Sequence, residues 1–335
     1  MLPEIDVLIP FHRIDRFLIE AIESVEASSG VVARPRLIND TPRGTDIPKE
    51  VRKHVVSSTA GGEGFAVAMN AGKSFIQSDF TAVLGSDDLM VSDRLYKQVQ
   101  ALEGSNSDLC VTQILKISNL GIPIASPTGY PSLSGLNSMW LLLGPVGADG
   151  TWLAGSDWWK EKIDFENNAG HDWNLALKIF RSTRIATIDE PLYLYRMHGT
   201  QTTRTPDFHH RLFESLEDSW NQEASYRDLP PLTAPRIHNV SLPWTMENKD
   251  TESLLAAIGW LRTFIDRATQ VAPILPRGLR LLIARRTIYL RARAMYLGNL
   301  SAGELSLDLR EASTMLADIM RYFFHHQEPS SRRRA

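Results

Sequence analysis

The chain has 335 residues, 43% of them hydrophobic, with a formal net charge of -3. That length suits about two domains and a real core, and the near-neutral balance points to no nucleic-acid partner. A single cysteine, Cys110, excludes an intramolecular disulfide framework and a multi-cysteine zinc site, and it suits a reducing compartment.

The opening MLPEIDVLIPF has no basic segment and too short an apolar run for a signal peptide. No apolar run approaches the ~20 residues that cross a bilayer. The expectation is a cytoplasmic protein, soluble or peripheral at the inner face of the membrane. Ile5 to Pro10 reads as a buried strand, followed by the loop Phe11-His12-Arg13. Asp15 then caps a helix whose Phe17, Leu18, Ala21, Ile22 and Val25 share a face. Arg36 to Asn39 is a second strand, left by Asp40-Thr41-Pro42, and Val51 to Ser57 reads as a third.

The Gly-rich turn Ala60 to Gly64 leads into a helix carrying Phe65, Ala68, Met69, Gly72 and Ile76. Its GEGFAVA string resembles a dinucleotide fingerprint. It follows the third strand instead of the first, however, and no acid ends a strand ~20 residues on, which argues against NAD or FAD. The turn still brings backbone amides close to a ligand, since glycine permits close approach.

Phe80 to Leu84 is the fourth strand, ending in Gly85-Ser86 and the paired acids Asp87 and Asp88. Two readings stand for this stretch. One is an ordinary capped loop before a helix that Ser92 caps. The other is a magnesium or manganese site, since hard cations take one or two carboxylates plus substrate phosphate oxygens. Strands alternating with helices imply βαβ units and a largely parallel sheet. Ligands bind such sheets beyond the carboxyl ends of the strands, where Pro10, Asp40 and Asp87 converge.

Further on, Leu109 to Ser118 reads as a long strand, Asn119-Leu120-Gly121 as a turn into another short one, Leu136 to Leu143 as a short helix and Gly150 to Ala154 as a strand. Five of the eight tryptophans, Trp140, Trp152, Trp158, Trp159 and Trp173, fall close together. Such rings stack on sugar faces or fill a core. Asn168 to Arg181 reads as a helix with His171-Asp172 at its start, and Arg184 to Ile188 as a strand before EPLYLYRMH.

These pieces, in their order, resemble glycosyltransferase family 2. IDVLIPFHR resembles its first-strand motif, LINDTP its VVDDGS, and GGEGFAVAMNAG its NxGxxxARNxG. FTAVLGSDDLM resembles the strand and DxDD, AGHDWNLALKI the segment with the Glu-Asp pair, and EPLYLYRMHGTQTT the late YRxHxxS. Together they cover about residues 5–204.

The resemblance implies an α/β, Rossmann-like GT-A fold: a mixed, mostly parallel sheet flanked by helices over 1–204. An α-helical C-terminal region, 205–335, follows. It implies an inverting glycosyltransferase that moves a sugar from a nucleotide-diphosphate donor, a UDP-sugar, to a glycan, lipid-linked or small-molecule acceptor. Asp172 would be the general base. Pro10, Phe11, His12, Arg13, Asp40, Gly64, Asn70, Ser86 and Asp87 would bind the donor nucleotide, Asp40 through the base. Asp87, Asp88 and His198 would hold the divalent cofactor. Trp152, Trp158, His171 and Trp173 would face the acceptor. The chain departs from the family at Gly85, Asn39, Met69 and His171, and it lacks the QxxRW of processive synthases. Two alternatives stand beside this reading: a non-catalytic binding protein on the same fold, and a nucleotidyltransferase. The latter wants a basic Gly-rich loop that PFHRID does not supply.

Beyond 205, Asp207 to Ala224 reads as a helix and Leu229 to Pro243 as a Pro-rich connector. Helices are expected over Thr251–Thr269, Arg277–Leu297 and Gly303–Phe324. Arg277, Arg280, Arg285, Arg286, Arg291 and Arg293 occur without an intervening acid. A basic amphipathic helix of this kind lies on an anionic membrane or packs on a partner, such as a second copy in a homodimer.

Overall fold

The computed structural model describes residues 1–125, 139, 141–144, 148–205, 207–242, 251–272, 283, 286, 287, 289 and 290. The chain divides into two units, Met1–Arg227 and Asp228–Ala335.

The first unit is built on one sheet of eight described strands: β1 Glu4–Phe11, β2 Val32–Asn39, β3 Val55–Ser58, β4 Phe80–Val83, β5 Leu89–Met90, β6 Leu109–Ile117, β7 Leu153–Gly155 and β8 Ile185–Arg196. Their order is β3-β2-β1-β4-β7-β6-β8-β5. The β3-β2-β1-β4 half is parallel, as is β6 with β8, while β7 and β5 pair antiparallel. The sheet is therefore mixed and mostly parallel. Around it lie α1 Arg16–Glu26, α2 Lys49–Arg52, α3 Phe65–Gly72, α4 Arg94–Ser105, α5 Ser156–Lys162, α6 His171–Ile179 and α7 Phe208–Tyr226.

The central strand shows why the sequence folds this way. Ile5, Val7, Leu8, Ile9 and Phe11 of β1 are all buried. A strand covered on both faces reads as a continuous apolar run without alternation. The chain then turns at Asp15, whose side chain accepts from the Phe17 and Leu18 amides at 2.9 and 3.2 Å. That cap satisfies two of the unpaired donors at the helix start. Leu18, Ala21, Ile22 and Val25 of α1 point inward, and full burial of a Leu or Ile side chain contributes about 1.5–3 kcal/mol.

Several local expectations change. Val51 belongs to α2, where the Pro48 carbonyl accepts from Val51 and Arg52, and the strand begins only at Val55. Leu89-Met90 forms an edge strand against β8, so α4 starts at Arg94 instead of after Ser92. The stretch after Ile188 does not leave the sheet. Instead β8 continues to Arg196, 12 residues in all, with a bulge where Thr112 faces Ile188, Gln113 faces Pro191 and Ile114 faces Tyr193. The turn after Ser118 returns through a lone bridge, Ile117 to Pro123, not a strand. The helix expected over Leu136–Leu143 lies mostly outside the described residues.

α7 belongs to the first unit. Trp220 Nε1 donates to the Leu142 carbonyl at 3.2 Å, and the rings of Trp173 and Phe213 meet edge to face at 5.9 Å. In the second unit, the Pro-rich connector contains α8 Ala234–Ser241. α9 Thr251–Val271 packs on it, with Trp260 Nε1 donating to the Pro230 carbonyl at 2.9 Å. Arg286, read from sequence as part of a basic face, is buried, and its Nε donates to the Ser241 carbonyl at 3.1 Å. The other arginines of that stretch and the last expected helix lie outside the described residues. No described helix is long and apolar enough to cross a membrane.

At the amino ends of the parallel strands, Asp6 is fully buried. Burial pushes its carboxyl up, but the Gln77 and Ser78 amides at 2.6 and 3.0 Å and Arg36 Nε at 2.7 Å outweigh it and hold it below the usual range. A depressed carboxyl stabilises the fold above its unfolded pKa of about 4, and that stability is lost as pH falls through the folded value. Asp6→Asn should lower urea-measured stability at pH 7 by about 2 kcal/mol, because it removes charge-assisted bonds to a buried group. The gap to wild type should narrow in the same titration below pH ~4, where wild type loses this contribution as well.

Candidate functional site

β1, β2 and β4 end on one rim. His12, just past β1, lies within electrostatic reach of both Asp87 and Asp40; partial burial and Arg13 lower its pKa while the two acids raise it, the lowering prevailing. Tyr195 on β8 has its pKa raised by burial, against a hydrogen bond with Thr203 that lowers it, while Asp88, Asp87 and Asp172 add to the rise. His12, Asp40 and Asp87 thus follow the ends of the adjacent parallel strands β1, β2 and β4.

Asp40 is buried and organises the Gly-rich turn. Its Oδ1 accepts from the Glu63 amide at 2.9 Å and from the Thr59 hydroxyl, and its Oδ2 accepts from the Gly64 amide at 2.8 Å. The remaining turn amides are committed too. Gly62 donates to the Asp40 carbonyl, Gly61 to Thr59 Oγ1 and Ala60 to Glu63 Oε2. Every amide from 60 to 64 therefore has a protein acceptor, so the turn is not an open cradle for phosphate. That corrects the expectation of amides offered to a ligand and removes the dinucleotide reading. Gly64, at φ +95°, supplies the left-handed conformation that this wrap requires. Asp40 Oδ2 keeps acceptor capacity for one further donor.

Asn70, expected at the nucleotide, is spent elsewhere. Its amide donates to the Phe165 carbonyl at 2.8 Å, and its carbonyl accepts from the Phe165 amide at 3.0 Å. Phe11 is core and Pro10 is buried beneath the rim, whereas His12 and Arg13 are exposed on it. Arg13 reaches the Thr200 carbonyl at 3.4 Å. Ser86 is half-buried at the β4 end.

The paired acids take different parts. Asp88 is buried; its Oδ2 accepts from the Tyr193 hydroxyl at 2.5 Å and its Oδ1 from the Arg196 amide at 2.7 Å. Burial, then Asp87, pushes its carboxyl up to about 8 against those two bonds. Buried at 3% exposure and bonded to β8 through each oxygen, Asp88 holds β8 in place and is not presented to a ligand on the rim, unlike the expected metal ligand. Asp87 is partly exposed, and its Oδ2 lies 2.7 Å from His198 Nε2. His198 Nδ1 meets the Thr200 hydroxyl at 3.0 Å, and its ring packs on Phe17 at 5.3 Å.

No group of three or more His, Cys, Asp or Glu among the described residues stands ready to hold a metal. The Asp87–His198 pair fits a cation whose other ligands are phosphate oxygens. It combines one carboxylate with one imidazole, and the ring is oriented from its far nitrogen.

Gly85 explains one departure from the family pattern. A Cβ there would lie 2.6 Å from Asp88 Oδ2 and 3.2 Å from the Tyr193 hydroxyl, which itself accepts from the Gly85 amide. Tyr193 also meets Gly150, where a Cβ would collide with its ring. The phenol therefore demands glycine on two sides, and no acid fits at 85.

Asp172 opens α6, half-buried. Burial raises its carboxyl, Asp149 adds to that, and His171 and the Trp173 amide oppose it. Its helix start is anchored where Gly170 packs against Leu212 and Leu216 of α7. His171 stacks on Phe65 at 4.3 Å and meets Phe165 edge-on at 5.8 Å.

Trp152 and Trp173, expected to face an acceptor, are buried core residues. Trp152 packs on Phe165 and Phe180, and Trp173 Nε1 donates to the Leu141 carbonyl at 2.8 Å. Neither has a free face for a sugar. Trp158 is half-buried on α5. Sequence reasoning missed Tyr193, Arg196 and Asp149. The YLYR string carried the first two, but no local signal marked Asp149.

A family model described as glycosyl transferase family 2 matches residues 6–149. Crystal structures of TarS from S. aureus are similar in fold. Residues 1–349 of TarS in complex with UDP-GlcNAc give a TM-score of 0.53 at 16% identity, covering 91% of this chain and 92% of that one. The same span without a named ligand gives 0.52 at 17% identity, covering 91% of each chain. In complex with UDP it gives 0.51 at 15%, again covering 91% of each. No curated protein matches the sequence.

Replacing Gly85 with alanine should lower stability by about 2 kcal/mol, the usual cost of overpacking a filled site. Denaturant unfolding at pH 7 measures it, and unchanged stability would mean that Asp88 and Tyr193 move aside freely.

Proposed function

We propose that the chain, whose residues 6–149 match the glycosyl transferase family 2 model and whose mixed sheet has the GT-A fold, moves a sugar from a uridine-diphosphate donor to an acceptor hydroxyl with inversion. The observation that carries the reading is the Asp87–His198 pair, a partly exposed carboxylate 2.7 Å from an imidazole just past the end of β4, on the rim where Asp40 follows β2. The TarS structures hold UDP-GlcNAc and UDP, which supports a uridine nucleotide here.

In this reading Asp40 accepts from the uracil imide with the Oδ2 capacity left over from the Gly64 amide. Asp87 and His198 hold a magnesium or manganese ion, which when bound neutralises the leaving diphosphate as a Lewis acid. Asp88 does not touch substrate; with Arg196 it fixes Asp87, whose carbonyl accepts from Arg196 Nε at 2.8 Å.

Asp172 takes the acceptor's proton at its carboxylate as the oxygen attacks the anomeric carbon and the C–O bond to diphosphate breaks. An acceptor alcohol is a very weak acid, so a carboxylate raised above its usual range is the better base, provided it stays ionised at working pH. Direct attack from the face opposite the leaving group inverts the configuration.

Calorimetry with UDP and manganese should give binding that weakens at least about tenfold in Asp87→Ala, a loss of ~1.4 kcal/mol. Asp172→Asn should keep that affinity while UDP release from UDP-GlcNAc falls by about 10²-fold or more. Full turnover in both variants would remove the assigned roles.

A further inference from the structure

Asp149, in the turn before β7, is used by nothing in this scheme. Its Oδ1 accepts from the Gly150 amide at 2.8 Å, whereas its Oδ2 is buried without a hydrogen-bond partner. A lone buried carboxylate oxygen is costly unless a charge or a strong donor faces it. The group that faces it is His171, whose Nε2 lies 3.7 Å away. The Asn168 backbone acts on the ring in the same sense, favouring its charged form. An imidazolium donates from its nitrogens and sets a positive charge against the unpartnered oxygen.

The rest of the surroundings leave the ring little else to do. Phe65 of α3 stacks on it at 4.3 Å and Phe165 meets its edge at 5.8 Å, so the packing elements contribute apolar faces. Phe165 is itself clamped by both ends of the Asn70 side chain. The charged or titratable groups that act on this cluster are Asp149, Asp172, Tyr195 of β8 through Asp172, and Tyr193 of β8 through Asp149.

We propose that Asp149 and His171 form a charge-compensated positioning pair, in which the His171 imidazolium held by Asp149 is the positive neighbour that lets Asp172 serve as base. The proposal rests on the reading of Asp172 given above. The pair does not take or give the reacting proton, which goes from the acceptor hydroxyl to Asp172. Its work is electrostatic: a cation beside Asp172 offsets both the burial of that carboxylate and the negative charge of Asp149. Burial favours a neutral His171, but Asp149, Asp172 and the Asn168 backbone together raise its pKa above the ordinary histidine value, in the same sense.

Because the two charges cancel, removing one should do more harm than removing both. His171→Gln leaves Asp149 unopposed beside Asp172, so the acid limb of the kcat/KM profile for UDP release from UDP-GlcNAc should move up by about one pH unit or more. The double variant His171→Gln/Asp149→Asn should bring that limb back toward wild type. A merely structural pair would leave the limb in place, or lower activity at every pH, most of all in the double variant.

UDP-manganese calorimetry on each variant reports whether the Asp40 and Asp87 end of the site is intact. An unshifted limb in His171→Gln, or a double variant shifted as far as the single, overturns the pairing. Failure of the base reading looks different: Asp172→Asn would then retain turnover whatever His171→Gln does. Should His171→Gln not fold, His171→Lys replaces it; this keeps the positive charge, so the limb should remain within a few tenths of wild type. A limb displaced as far as expected for the glutamine variant would overturn the proposal.

Discussion

The buried carboxyl of Asp88 is the point on which the first unit's functional rim depends. It accepts from the Tyr193 hydroxyl and the Arg196 amide, more than 100 residues away in the chain. Arg196, itself buried, spreads its guanidinium over the Phe17 ring and donates to the Asp87 carbonyl, the Asn119 carbonyl and Glu20. One residue pair thereby joins the end of β4, the end of β8, the turn after β6 and helix α1. Burying a carboxyl and a guanidinium costs several kcal/mol each unless their hydrogen-bonding groups are met, and here partners come from four elements. Asp87, partly exposed and paired with His198, is held at the rim by this arrangement through its own carbonyl.

The same economy runs through Tyr193. Its ring lies near the buried Arg94 guanidinium, 5.3 Å from the ring centre, and Arg94 Nη2 donates to the Gly150 carbonyl at 2.6 Å. Gln98, bonded to Arg94 Nε at 2.9 Å, passes the link to the Cys110 and Thr151 carbonyls. A polar network of this kind stabilises one arrangement over its alternatives only if every member is satisfied. It ties the turn that carries Asp149 to helix α4 and strand β6, beside the ring of Tyr193.

Much of this was legible before any coordinates. The apolar run of β1, the Asp15 cap and the strand-end places of Asp40 and Asp87 follow from local pattern, because each depends on residues a few positions away. What stayed hidden depends on contacts across the chain. The YLYR string reads as alternating strand, but that Tyr193 turns inward onto Gly85 and Gly150 follows from the β6–β8 register and its bulge. Trp152 and Trp173 looked like sugar platforms because tryptophans clustered in sequence; which way each ring faces is decided by Phe165, Phe180 and Phe213. Asn70 has the right type and place for a ligand contact, yet a backbone 95 residues away claims both its polar ends.

The turn wrapped on Asp40 bears on the thermodynamics of recognition. Its five amides are already bonded within the protein, so the segment does not need a nucleotide to give it shape. A ligand arriving there meets a surface with its conformational entropy already removed during folding. Affinity at this rim then reflects contact and desolvation and carries little of the loop-ordering penalty that flexible phosphate-binding segments incur. On the proposed donor-binding role, folding and recognition are measured together at Asp40. A substitution there alters the shape of the loop before it alters what the loop can hold.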